Sequence, residues 1–174
     1  GCIVQEDKMV NAAAWARWRA ACLQPGHAPV TQVALLEPMS PHIAAEREGL
    51  QLELAMLVSH CQPLLTQAEF CVVEGAGGWQ VPLNATETMA DLAVALNCGV
   101  ILVVGMRLGC INHALLSAAA IRARGLNLSG WVANHIDPAM SVPDENVTTL
   151  IERLDAPLLG RIPSLSEATA ARAS

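Results

Sequence analysis

The segment Glu74-Gly75-Ala76-Gly77-Gly78 sets one carboxylate beside a glycine-rich turn, the combination in this 174-residue chain best suited to phosphate chemistry. Glycines let backbone N–H groups approach an anion, and the acid makes Glu74 a candidate Mg²⁺ ligand. The same residues would equally serve as a plain strand-to-loop turn. Leu108-Gly109-Cys110-Ile111-Asn112 precedes an alanine-rich stretch with helical spacing. A helix N-terminus offers N–H groups and a positive dipole end to a carboxylate or phosphate, although Asn112 there could act simply as the N-cap. Arg107 could pair with an anion or remain a solvated surface arginine. Asn134 carries both a donor and an acceptor, which suits the edge of a purine base and also suits a turn. The five histidines fall into no zinc-binding spacing, and neither a G-x-S-x-G elbow nor a G-x-x-x-x-G-K-[ST] phosphate loop occurs in the chain.

These residues need elements to hold them. Apolar positions at Trp15, Trp18 and Cys22 predict a helix from Asn11 that ends at Pro25-Gly26, and Val30 to Leu36 reads as strand or loop. Ser40-Pro41 opens a short helix stopped by Gly49, and Leu52 to Leu65 reads as a longer helix. Phe70 to Val73, Val100 to Val104 and Leu128 to Ala133 are short continuous apolar runs, the pattern of strands buried on both faces. Helices over Thr88 to Leu96 and Asn112 to Arg124 lie between them, the first with a Thr88-x-x-Asp91 capping pattern and the second closed by Gly125. A last helix, Asp144 to Leu154, leads into Pro157 to Pro163. Strand–helix alternation predicts an α/β fold whose parallel sheet gathers ligands at the carboxyl ends of its strands.

Composition narrows the function classes. The chain is 53% hydrophobic and 15% charged with a mean hydropathy of +0.38, enough apolar surface for one cored domain over 1–174, its tail from residue 164 expected to fray. A formal charge of −6 and a pI near 5.3 argue against a nucleic-acid partner. The longest apolar stretch, Leu92 to Met106, is interrupted by Asn97 and Gly99 and is too short for a membrane span. Six cysteines without paired spacing read as reduced, buried thiols of a cytoplasmic protein.

Val72 to Leu83, Glu37-Pro38-Met39-Ser40-Pro41-His42, Leu108 to Ala114 after its strand, Gly130 to Asn134 and Pro157 to Pro163 together resemble the dethiobiotin synthetase family, in family order. The resemblance implies a P-loop NTPase-like, doubly wound parallel sheet with helices on both faces, and a homodimeric enzyme of biotin biosynthesis. Such enzymes close a ureido ring on 7,8-diaminopelargonic acid with CO2 and MgATP, through a carbamate that ATP phosphorylates. It implies Mg²⁺ at Glu74, nucleotide and substrate along Gly75, Ala76 and Gly77, and adenine at Asn134 beside His135. Pro163, Ser164 and Leu165 would flank that base. Leu108 to Asn112 would receive the substrate carboxylate at the dimer interface.

In the family the phosphate loop and catalytic lysine precede the segment that Gly1 opens, so no catalytic residue of that set is expected in this chain, which is expected to be inactive alone as a piece lacking its first strand. Asn11-Ala12-Ala13-Ala14 replaces an Asn-x-Asp-Ala pattern, so Ala13 stands where the family has a metal-binding aspartate. His135 stands where aspartate often follows the adenine asparagine. The alternative reading is a non-catalytic structural or regulatory relative that keeps the fold and dimer surface.

Overall fold

The computed structural model describes residues 2–5, 8–11, 35, 39–67 and 71–164. Beyond Asn11, which itself ends a strand, the helix expected from Asn11 to Pro25-Gly26 lies outside the described residues, as do most of the Val30–Leu36 segment, Ala13, Leu165 and the tail after it. The chain divides into two compact units, Gly1–Leu92 and Ala93–Ser174.

In the first unit, β1 (Cys2–Gln5) pairs antiparallel with β2 (Lys8–Asn11), Cys2 opposite Asn11 and Gln5 opposite Lys8. The sequence reading predicts no element before Asn11. Runs of four residues are too short for periodicity to register, yet the β-branched Ile3, Val4 and Val10 favour extended backbone, and two residues suffice to join a hairpin. Helix α1 (Pro41–Arg47) begins on the Ser40 carbonyl, which accepts from the N–H groups of Ile43 and Ala44 at 3.0 and 3.1 Å, and Gly49 follows its end at φ +69°. Helix α2 runs Leu54–Gln67 with Pro63 inside it.

The expected strand from Phe70 to Val73 does not form over the described residues 71–73. Val72 is 71% exposed, and this stretch has no ladder partner among the described residues. An apolar run supplies the propensity for a strand, but only a neighbouring strand supplies its hydrogen bonds.

Helix α3 (Met89–Leu96) starts as its capping pattern requires, with the Thr88 N–H and hydroxyl both donating to Asp91 Oδ2 at 2.7 Å. In the second unit, β3 (Val100–Gly105), β4 (Leu128–Asn134) and β5 (Leu158–Ile162) form a parallel sheet in the order β3-β4-β5. Helices α4 (Cys110–Ala123) and α5 (Pro143–Arg153) provide the crossovers. β5 arises within the Pro157–Pro163 segment, to which the sequence reading assigns no type.

Val104, Trp131 and Ala133 are buried, as are Ala114, Ala118 and Ile121 of α4 and Val147 and Leu150 of α5. Ile101, Val103 and Leu159 remain about half exposed, against the expectation of strands buried on both faces. Consecutive crossovers of one hand that step the same way across a sheet lay both helices on one side. The Arg122 guanidinium ties the end of α4 to the end of α5 by donating to the carbonyls of Leu154 and Asp155. Among the described residues no helix is long and apolar enough to cross a membrane.

Candidate functional site

The three parallel strands end in register, Gly105 beside Asn134 and Asn134 beside Ile162. The Met106 N–H donates to the Asn134 carbonyl at 2.7 Å and the His135 N–H to the Ile162 carbonyl at 2.9 Å, so the loops leaving the sheet start from one rigid edge. Asn134 therefore closes a strand and is half-buried there.

A cavity of about 490 Å³ opens beside this edge, lined among others by His135, Asp137, Asp144, Arg161, Pro163 and Ser164. His135, Pro163 and Ser164, expected near a base, thus share one cavity. Asp137, Asp144 and Arg161 are lining residues that the sequence reading misses, although the rule that loops after parallel strands carry ligand contacts points to Asp137. Arg161 Nη1 meets Asp144 Oδ1 at 2.5 Å, joining β5 to the first turn of α5 across the rim. The Asp137 carboxylate accepts from the Ala139 N–H at 2.9 Å, which turns the chain away from β4. The cavity is broadly open to solvent, and its polar groups lie among proline and methionine surface.

Between β3 and α4, Gly109 takes the N-cap position at φ +90°, and Cys110 is the first helical residue. Asn112 is therefore not the cap. A left-handed turn that glycine adopts without strain begins the helix earlier than the asparagine suggests. Leu108 is 98% exposed beside this turn, Cys110 is buried, and Asn112 points outward from the first turn. No acidic side chain occupies that turn, so its dipole is not offset there.

Glu74 to Gly77 lie in the first unit, exposed. Gly77 has φ +86°, and a Cβ on it would stand 2.8 Å from Val81 Cγ2, so the turn requires glycine. A Cβ on Gly75 would meet Met89 Cε at 3.1 Å. Magnesium is commonly held by one or two carboxylates together with phosphate oxygens and water, and an exposed acid before a glycine-rich turn has the chemistry for that. No group of three or more potential metal ligands occurs among the described residues, so an all-protein metal cage is not formed by them. Cys71, Cys98 and Cys110 are free thiols, and of these only Cys110 is fully buried, fewer than the apolar context of the cysteines suggests.

Residues 5–172 match the family model described as an AAA domain, and the parallel α/β sheet with crossover helices agrees with its P-loop NTPase-like class. A protein of Cellvibrio japonicus (strain Ueda107) named ATP-dependent dethiobiotin synthetase BioD is 49% identical over 174 residues, 100% of this chain and 76% of that protein. Proteins of the same name from Pseudomonas aeruginosa strains PAO1 and UCBPP-PA14 are 54% identical over 143 residues and 48% identical over 172 residues. Those matches span 82% and 98% of this chain, and 63% and 75% of the respective relatives. The chain belongs to the ATP-dependent dethiobiotin synthetase family.

Proposed function

We propose that the protein carrying this chain is an ATP- and Mg²⁺-dependent cyclo-ligase that closes the ureido ring of dethiobiotin from 7,8-diaminopelargonic acid and CO2. The observation that carries this reading is the cavity at the carboxyl edge of the sheet, where His135, Pro163 and Ser164 meet beside the strand end at Asn134. From the strand end Asn134 offers its amide to the adenine edge, and His135 with Pro163 and Ser164 flanks the base. Glu74 holds the divalent ion, whose charge offsets that of the phosphates, while the amides of Gly75, Ala76 and Gly77 line the nucleotide and substrate.

The first turn of α4, from Leu108 to Asn112, receives the substrate carboxylate. Its support is the glycine-started helix end without an acidic side chain in its first turn. The working form is a cytoplasmic homodimer. The exposed Leu108 and Leu116 near that helix end, and the free thiols, are consistent with it.

The test is ADP release by the full protein. It is expected to require both bicarbonate and the diamine, and ADP release unaffected by omitting the diamine rejects the assignment. A protein that binds MgATP without any turnover would favour the non-catalytic reading, toward which the absence of a carboxylate at Ala13 points.

A further inference from the structure

The turn after Glu74 has almost no side chains with which to fix its own shape, so its geometry must be imposed by the residues that follow. Gly77 lies against Val81, whose carbonyl accepts from the Met89 N–H at 2.9 Å. Pro82 and Thr88 form an antiparallel bridge, and the Leu83 N–H donates to the Glu87 carbonyl at 2.8 Å. This narrow loop is closed at its tip by Asn84, whose Oδ1 accepts from the N–H groups of Thr86 and Glu87, each at 3.0 Å.

One carboxylate then joins the loop to a helix more than thirty residues earlier. Glu87 Oε2 accepts from the Leu54 N–H at 3.0 Å and from Asn84 Nδ2 at 2.6 Å, and Asn84 Nδ2 also donates to the Leu52 carbonyl at 2.8 Å. Leu54 is the first residue of α2, so a half-buried acid distant in sequence caps the positive end of that helix. Leu52 is buried, which fixes the anchor. Partly desolvated charge-assisted bonds of this kind are stronger than neutral ones.

We propose that Glu87 is a positioning residue: latched to α2 through Leu54 and to Asn84, it holds the Val81–Met89 loop and thereby the backbone of Glu74 to Gly77 in the shape that receives metal-bound phosphate. This rests on the nucleotide reading of Glu74 to Gly77 given above. Gln at position 87 retains an oxygen that can accept both bonds, whereas Ala retains none.

Amide hydrogen exchange of residues 74–81 in the full protein, with MgATP kinetics, tests the latch. Glu87→Ala is expected to speed that exchange about 10-fold and to raise KM for MgATP by a similar factor with kcat within about threefold, while Glu87→Gln stays near the parent. If Glu87→Ala does not accumulate as folded protein, Asn84→Ala is read by the same criteria. Unchanged exchange in the alanine variant, failure of glutamine to rescue, or a loss confined to kcat overturns the proposal. Glu74→Gln separates the two ideas: unchanged MgATP binding in that variant rejects the nucleotide reading, while the exchange result still decides whether the latch exists.

Discussion

The candidate residues are of two kinds, and they differ in how plainly the sequence announces them. Glu74 and its glycines stand out because few other roles need a carboxylate beside so little side chain. Asp137 and Arg161 do not, since an aspartate before proline reads as a turn and an arginine on a strand reads as surface. Only the return of β5 beside β4 brings Arg161 to the cavity rim near Asp144. Because Glu74 is exposed, Glu74→Gln should change stability by no more than about 0.5 kcal/mol in urea denaturation. Its Mg²⁺-dependent nucleotide binding, measured calorimetrically, should fall about 10-fold or more. Gly77→Ala should instead cost about 1–3 kcal/mol or displace Val81, because the left-handed backbone and the short Cβ approach act together.

Elements with an explicit start or stop signal are legible in the sequence, and so are β3 and β4 from their continuous apolar runs, whereas two segments whose state depends on a partner are not. Pro41 and Gly49 bracket α1, Thr88 and Asp91 open α3, and Gly125 closes α4 at φ +77°. The start of α4 is displaced toward the amino end because Gly109 supplies the turn by conformation rather than by a side-chain acceptor. Phe70 to Val73 and Leu158 to Ile162 show the other limit. The first, over its described residues, lacks a ladder despite its apolar run, and the second gains one despite Gly160 and Arg161. Asp91→Ala should destabilise the protein by about 1 kcal/mol, since both Thr88 donors lose their acceptor. Asp91→Asn, which keeps an acceptor oxygen, should recover most of that loss in the same denaturation experiment.

At the scale of the whole molecule, strand–helix alternation suffices for the fold class, because parallel strands need crossovers and the crossovers here are the alanine-rich helix α4 and the polar-faced helix α5. The edge at which the base is proposed to bind is the one that parallel topology favours, and the strands end there in register at Gly105, Asn134 and Ile162. The reaction does not follow from topology, since one sheet serves many nucleotide chemistries; family membership supplies the class. A ligand that binds only the folded form must stabilise it, so MgATP at 100 times its Kd should add about 2.7 kcal/mol in thermal unfolding of the full protein. The central claim, ureido ring closure, is tested most directly by supplying labelled bicarbonate with 7,8-diaminopelargonic acid and MgATP and recovering the organic product by mass spectrometry. The label should appear in the ring carbonyl of dethiobiotin in step with ADP; ADP formed with no labelled dethiobiotin would contradict the account.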